Sequence, residues 1–207
     1  MAGRATTVAT LACAAAFARV DAIAIGALVD EEDSGGPAVA EDFARLASLL
    51  PAALTRRDGA YVWRRDDENK ASFRAIDGTV MQASGFSSID VAGLAAATGA
   101  RDVSFDIATG VSSSRRRGEA KSTEIIIDLT GEGPDGTALR TRHAVFHPGG
   151  AAPLTVLGVS MILARLTGLD GAAPTTPGLY FPYQVLDHAA YLARLRAEGG
   201  SIMSLDA

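Results

Sequence analysis

The stretch Lys121–His147, KSTEIIIDLTGEGPDGTALRTRHAVFH, decides the fold of this chain. It predicts two long strands joined by a six-residue loop, because Ile125–Leu129 is bulky and β-branched and Pro134-Asp135-Gly136 has turn chemistry. The two-residue period of a strand puts two sets of side chains on opposite faces. One set is Leu139, Thr141, His143, Val145 and His147, and the other is Arg140, Arg142 and Phe146. A hairpin this apolar needs a covered face, so we expect other elements to pack on it.

Further strands are predicted on the N-terminal side of this hairpin. The Asp-Gly pairs Asp58-Gly59 and Asp77-Gly78 each indicate a tight hairpin turn between short extended runs. Arg101–Thr109 alternates, with Val103, Phe105 and Ile107 expected to point inward. Several hairpins close together in sequence favour a largely antiparallel sheet.

Helices are predicted between and after these strands. They cover Ala5–Val20 (before a strand at Asp21–Val29), Val39–Leu50, a run ending at Ala97 and capped by Ser87, Ser88 or Asp90, Leu154–Leu166, and Asp187–Glu198. Leu154–Leu166 is apolar nearly all round, which is typical of a helix buried on most sides or used at a subunit interface. Together the elements predict an α+β fold: one domain over residues 1–207, with a mixed, mostly antiparallel sheet and helices packed on one face.

The bulk composition excludes several classes of protein. Of the 207 residues, 48% are apolar and 21% are charged, as in a folded globular domain. The net charge of −5 gives no overall attraction for nucleic acid or an anionic membrane surface. No run of about twenty strongly apolar residues predicts a membrane helix. The only cysteine is Cys13, which excludes an internal disulfide and predicts a reducing, cytoplasmic location.

Two charged runs have structural interpretations. Asp30–Pro37 is acidic and turn-rich but lacks the spaced ligands of a calcium loop, so we expect a solvated surface loop. Arg115–Arg117 could grip a carboxylate or phosphate, but we favour pairing with Glu119, Glu124, Asp106 and Asp128 on neighbouring strands. Neither run predicts a functional site.

The loop Gly131–Gly136 matches the letters of the dinucleotide fingerprint G-x-G-x-x-G. That motif needs a helix after the loop, whose N-terminal amides meet the pyrophosphate. Here a second strand follows, Pro134 removes an amide, and Glu132 and Asp135 would repel phosphate. We therefore expect a plain turn and no nicotinamide cofactor site.

Candidate site residues are few. His143 and His147 share a strand face and are candidates for general acid or base catalysis, whereas a metal site would need a third ligand and is not expected. Candidates for contact with a small-molecule substrate are Tyr180, Tyr183, Phe105, Arg142 and Trp63. The Pro-containing segment around Tyr180 and Tyr183 could be a pocket wall or could pack on the last helix.

The order of the pieces resembles one family. An Arg-rich strand after the hairpin turn (Leu139–Arg142), an apolar helix (Thr155–Leu166), the segment Pro177–Pro182 and a last helix ending at Gly199-Gly200 resemble the C-terminal portion of saccharopine-dehydrogenase-like oxidoreductases. Ala5–Val29 is similar to the helix and strand by which that family leaves its Rossmann domain. The resemblance implies an α+β substrate-binding and dimerisation domain without the cofactor-binding half.

Three functions remain open at this point. The first is a substrate-binding and dimerisation domain that cannot transfer hydride alone. The second is a cofactor-free cyclase or isomerase of bacterial secondary metabolism, in which Tyr180, Tyr183, His143 and Phe105 would line a sheet pocket. The third is a non-catalytic dimeric partner subunit. In each case we expect a homodimer.

Overall fold

The computed structural model describes residues 3–33, 35–39, 41, 44–45 and 52–206, with side chains from Thr6 onward. The helix predicted over Val39–Leu50 lies largely outside the described residues. In chain order the elements are α1 (Gly3–Ala14), β1 (Arg19–Asp30), β2 (Ala52–Arg57), β3 (Ala60–Arg65), β4 (Lys70–Arg74), β5 (Val80–Gly85), α2 (Ile89–Thr98), β6 (Asp102–Gly110), α3 (Ser113–Arg116), β7 (Thr123–Glu132), β8 (Ala138–His147), α4 (Ala151–Thr167), α5 (Pro182–Val185), α6 (His188–Ala197) and β9 (Ser201–Leu205).

Within the described residues, nine strands form one sheet. The order is β3-β2-β6-β1-β7-β8-β9, and β5 pairs with both β4 and β6. Only the described pair β1 and β6 is parallel, with Ile25 opposite Phe105, and the other described pairs are antiparallel. The predicted mixed, mostly antiparallel α+β architecture is therefore confirmed.

The β7–β8 hairpin is confirmed, although β7 continues to Glu132, inside the predicted loop, and β8 begins at Ala138. Ile127 pairs with His143 and Ile125 pairs with Val145, so these four side chains share a face. Ile125, Ile127 and Val145 are fully buried in the main core, together with apolar side chains of α1, α2, α4 and α6. The helices thus pack on one sheet face, as the pattern predicted.

The opposite face is covered over part of its area by the β4–β5 hairpin. A side-chain carbon on Gly26 would lie 2.5 Å from the Phe73 ring, so the glycine in β1 lets this hairpin lie close to the sheet. Leu28, Ala75 and Ala108 form a small second core beneath the hairpin. Glu124 holds the turn of the β4–β5 hairpin in place by accepting a hydrogen bond from the Ile76 amide (3.0 Å).

The acidic loop differs from its prediction. Asp30 is 1% exposed, and although burial alone would raise its pKa, hydrogen bonds from Ser112, the Glu32 amide and Arg115 lower the pKa to about 2. Asp33 accepts a hydrogen bond from the first amide of α4, at Ala151 (2.7 Å). These two carboxylates are structural anchors rather than part of a solvated loop, because both meet backbone amides that need an acceptor.

The arginine run forms ion pairs, but mostly with other partners than predicted. Arg115 pairs with Asp30 (2.8 Å), Arg116 with Asp77 (2.6 Å) and Arg117 with Glu119 (3.0 Å). Only Glu119 belongs to the predicted set. The remaining predicted partners are engaged elsewhere: Glu124 with Ser113, Asp106 with Arg64, and Asp128 with Arg142.

Several boundaries also differ. The first helix ends at Ala14, and β1 already begins at Arg19. β9 was not predicted and adds an edge strand after Gly200, pairing Ile202 with Val145. The predicted cap at Ser88 and the stop at Gly99 (φ 74°) are confirmed. In the part of the chain that the structure describes, no helix is long and apolar enough to cross a membrane.

Candidate functional site

The two histidines lie on the helix-covered sheet face. His147 is 5% exposed, and its Nδ1 accepts a hydrogen bond from the Gly149 amide (3.0 Å). His143 is half-buried, with Nδ1 3.4 Å from the Ser204 hydroxyl. Burial lowers the pKa of His143 despite the opposing charge of Asp128, so the surroundings of this imidazole favour its neutral form. Both Nε2 atoms are buried without a hydrogen-bond partner among the described residues.

The structure spreads the other predicted residues over several regions. Phe105 (4% exposed) is in the core on β6, and Trp63 (49% exposed) is on the edge strand β3. Strands β1 and β7 separate Phe105 from His143, a distance of about 14 Å at 4.8 Å per strand. Arg142 lies on the opposite face from His143. These residues therefore do not line one pocket.

Tyr180 and Tyr183 also have different surroundings. Tyr180 is 40% exposed, and its hydroxyl donates to the Thr176 carbonyl within its own loop (3.1 Å). Tyr183 stacks with Phe181, with ring centroids 5.8 Å apart. Both rings lie beside Gly93 of α2, where a side-chain carbon would be 3.4 Å from Phe181. Tyr183 and Phe181 are thus a wall against α2.

A buried carboxylate lies at the N-terminal end of that same helix. Asp90 is 1% exposed, and the hydroxyls of Thr7 and Ser88 donate to its two oxygens. Burial raises the pKa of Asp90 to about 6, and the hydrogen bonds from the two neutral hydroxyls, which lower the pKa, offset this rise only in part. Asp90, Thr7 and Ser88 are called the Asp90 corner below.

Local sequence explains how this corner forms. Ser88 caps α2 and its Oγ accepts from the Asp90 amide (3.2 Å), which places Asp90 in the first helical turn. Phe86, just before the cap, packs on Phe105 at 5.9 Å. Phe105 and the Tyr183 wall therefore flank α2, and these two predicted residues are the ones that the structure places near one site.

Sequence reasoning found Asp90 only as a possible cap. Its partner Thr7 lies 83 residues away, on α1, so no local pattern could join them. The available signal was a single carboxylate in the first turn of a helix that otherwise contains only Ile, Val, Leu, Ala and Gly before Thr98. A carboxyl group with a pKa near neutrality and aromatic neighbours is a candidate for proton transfer or for binding a cationic group.

A second polar area lies on the sheet face opposite the helices. Ala24 of the central strand β1 is exposed there, because the β4–β5 hairpin covers only the other half of β1. Beside it Arg142 donates to the Arg74 carbonyl (2.6 Å) and lies 3.5 Å from Asp128 Oδ2. Asp128 Oδ1 is buried without a partner among the described residues. This area is the second place where a small polar ligand could bind.

Neither area has the donors of a metal or dinucleotide site. Among the described residues, no group of three or more His, Cys, Asp or Glu side chains could hold a metal ion. The glycine-rich loop at residues 131–136 joins β7 to β8 and begins inside β7, so a strand and not a helix follows it. The interpretation of this loop as a turn is confirmed.

Comparison with solved structures finds a protein of similar fold. The chain is similar to apo histidine-tagged saccharopine dehydrogenase (L-Glu forming) from Saccharomyces cerevisiae, with a TM-score of 0.56 and 11% identity over 98% of this chain and 71% of that one. The fold is therefore saccharopine-dehydrogenase-like, as the sequence resemblance implied. No protein-family model and no curated protein matches the chain.

Proposed function

We propose that this chain is a substrate-binding and dimerisation domain like the C-terminal domain of saccharopine-dehydrogenase-like enzymes. Two things support this: the likeness of the fold, and a site candidate near the start of α1. In this proposal the nicotinamide cofactor is held by a separate domain, and the chain alone transfers no hydride.

The Asp90 corner is the main structural support for this proposal. Thr7 donates to Asp90 from the second turn of a helix that begins at Gly3. A cofactor domain preceding α1 would therefore lie close to Asp90, and sites for small molecules are frequent at such domain junctions. The Phe181–Tyr183 wall on α2 would contact the apolar part of the substrate.

The chemistry of the corner favours a substrate with an amino group. An ionised Asp90 accepts hydrogen bonds and lacks a cationic partner among its side-chain hydrogen bonds, so an ammonium group would both pair with it and lower its pKa. The yeast relative is named for forming L-glutamate, an amino acid. We extend this to an amino-acid substrate class here.

Titration of the isotope-labelled chain with saccharopine and with L-glutamate tests the proposal. We expect amide chemical shifts to change at Thr7, Ser88, Asp90 and Gly93, and Asp90→Asn to weaken binding at least tenfold. The matched control is Asp128→Asn, on the other sheet face, which should leave binding unchanged. Shifts confined to the area around Arg142, or no binding at millimolar ligand, would contradict the Asp90 corner as the site.

The same carboxyl group supports the cofactor-free cyclase or isomerase as a second candidate. A pKa of about 6 suits a general base working near neutral pH. An isomerase would exchange substrate hydrogen with deuterated water in the absence of nicotinamide, whereas a substrate domain alone would not. In either case, unchanged turnover after replacement of His143, His147 or Tyr180 would remove that residue from the mechanism.

A further inference from the structure

The Asp90 corner is closed to solvent. Asp90 is 1% exposed, Thr7 is 5% exposed and Ser88 is half-buried. A substrate that pairs with Asp90 therefore reaches it only after one of the surrounding elements moves. Helices α1 and α2 carry the corner, and both are anchored in the main core by fully buried side chains such as Val8 and Leu94. The element that moves is therefore neither of these two helices.

The short helix α5 is the third element at the corner. Gly93 follows Asp90 by about one turn of α2, and a side-chain carbon on Gly93 would lie 3.4 Å from the Phe181 ring and 3.6 Å from the Tyr183 ring. Helix α5 also lies against α1, the helix that carries Thr7. The rings at α5 thus pack where the two helices of the corner meet.

Helix α5 is itself weakly embedded. It is one turn long, and none of its four residues is buried. The backbone is extended on each side of it, at Phe181 (ψ 148°) and at Leu186 (ψ 136°). The chain before it is at the surface, where Leu179 is 101% exposed and Tyr180 is 40% exposed. A segment with so few buried contacts separates from the rest of a protein at low cost in free energy.

The segment Phe181–Val185 is rigid within itself. Gln184 Oε1 accepts a hydrogen bond from the Phe181 amide (2.8 Å), which closes the turn. The Phe181 and Tyr183 rings stack at 5.8 Å with an angle of 15° between their planes. The two rings therefore move together with the turn that carries them.

His188 connects this segment to the last helix. Its Nε2 donates to the Tyr183 carbonyl (2.9 Å), since a carbonyl oxygen can only accept. His188 is the first residue of α6, whose start is fixed by Asp187 accepting from the Ala190 amide (2.9 Å). In the described part of the chain, no other side chain outside the segment forms a hydrogen bond with it.

We propose that Phe181–Val185 is a gate over the Asp90 corner, and that His188 is a positioning residue that holds this gate closed through the Tyr183 carbonyl. Leu186, 7% exposed in the main core, is the fixed end about which the gate turns. Opening lifts both rings off Gly93, and closing behind a substrate places them against its apolar part. The proposal deepens the proposed function and rests on it for the identity of the ligand.

Thiol labelling without ligand tests the gate. In a Cys13→Ser background, the thiol introduced by Gly93→Cys lies beneath the two rings and reports their opening. We expect iodoacetamide to label it about fivefold faster after His188→Ala, the size of effect that one hydrogen bond has on an equilibrium. His188→Gln keeps an N–H donor and should restore slow labelling. Equal labelling rates with and without the imidazole would overturn the proposal.

A thiol elsewhere in the core separates gate opening from general loosening. Val145→Cys replaces a fully buried residue of β8, so it is labelled only when the sheet itself opens. We expect its labelling rate to be the same with His188 and with His188→Ala. If Val145→Cys is accelerated as much as Gly93→Cys, His188 stabilises the whole fold and the gate is disproved.

Addition of saccharopine links the gate to the ligand. Saturating saccharopine should slow the labelling of Gly93→Cys, because the rings close behind the bound substrate. Binding without this protection would overturn the closing of the gate on the substrate. No binding at millimolar saccharopine would contradict the proposed function, whereas the labelling rates without ligand still decide whether the gate exists.

Discussion

At the scale of single residues, Asp90 is the main candidate for a functional side chain. The hydroxyls of Thr7 and Ser88 donate to this carboxyl group and favour its ionised form, but burial disfavours that form more strongly. Its raised pKa therefore reflects burial more than a specific charge, and a bound cation would reverse it. This makes Asp90 both a site candidate and a measurable source of pH-dependent stability.

We expect the raised pKa of Asp90 to make the free energy of unfolding depend on pH. The pKa is about 6 in the folded chain and near 3.8 when unfolded, so the folded state binds the proton more tightly. Protonated Asp90 therefore stabilises the folded chain by on the order of 2–3 kcal/mol below pH 4, and this contribution is lost as the pH rises through 6. Denaturant unfolding at pH 4 to 8 should show this loss in the wild type.

Asp90→Asn is the control for that measurement. The amide cannot ionise, so the decline between pH 4 and 6 should disappear while the other carboxylates still titrate. Asp30 has a lowered pKa of about 2, so its contribution has the opposite sign and falls in more acidic solution. Equal pH profiles for wild type and Asp90→Asn would show that Asp90 titrates normally.

At the scale of elements, distant side chains hold helix ends in place. Helix α4 follows Gly150, which adopts φ 83°, and its first amide is satisfied by Asp33 from the loop after β1. Lys121 lies 3.3 Å from the same carboxylate. Helix α4 is therefore anchored at its N-terminus by a residue 118 positions earlier.

We predict that Asp33→Ala lowers the free energy of unfolding by about 1–2 kcal/mol, the usual cost of a lost helix cap. Asp33→Asn keeps an acceptor for the Ala151 amide and should cost less. Glu32→Ala is the matched control, because Glu32 is exposed and pairs only with Arg115 at the surface (3.0 Å) among the described residues. If Glu32→Ala lowers the free energy of unfolding as much as Asp33→Ala does, Asp33 does not act as the cap of α4.

At the scale of the whole molecule, the sheet is built from distant parts of the chain. β1 lies between β6 and β7, and both faces of its C-terminal half are covered, by the helices and by the β4–β5 hairpin. Only the half near Ala24 is open on one face. This arrangement leaves two separated areas for ligands, the Asp90 corner and the face around Arg142.

We predict that the chain alone does not bind NADPH. Its glycine-rich loop joins two strands, so it offers no helix N-terminus to a pyrophosphate. Titration calorimetry with NADPH should give no heat of binding at 100 µM, with a Rossmann dehydrogenase as the positive control. Binding tighter than about 10 µM would show that a cofactor site exists on this chain.

Features with local causes were predicted well. The β7–β8 hairpin followed from its apolar run and turn, the Asp58-Gly59 and Asp77-Gly78 hairpins from their turn residues, and the start of α2 from Ser88. Each of these signals lies within a few residues of the structure it causes. The class of fold followed from them because the hairpins require an antiparallel sheet and the apolar helices require a face to cover.

Only the tertiary structure decided which distant residues meet. The parallel pairing of β1 with β6, the edge strand β9, the burial of Asp30 and the contact of Thr7 with Asp90 all join segments far apart in sequence. Local patterns carry no information about such contacts, since they depend on how the whole chain packs. The sequence by itself therefore determined the kind of sheet, and packing determined where a site can lie.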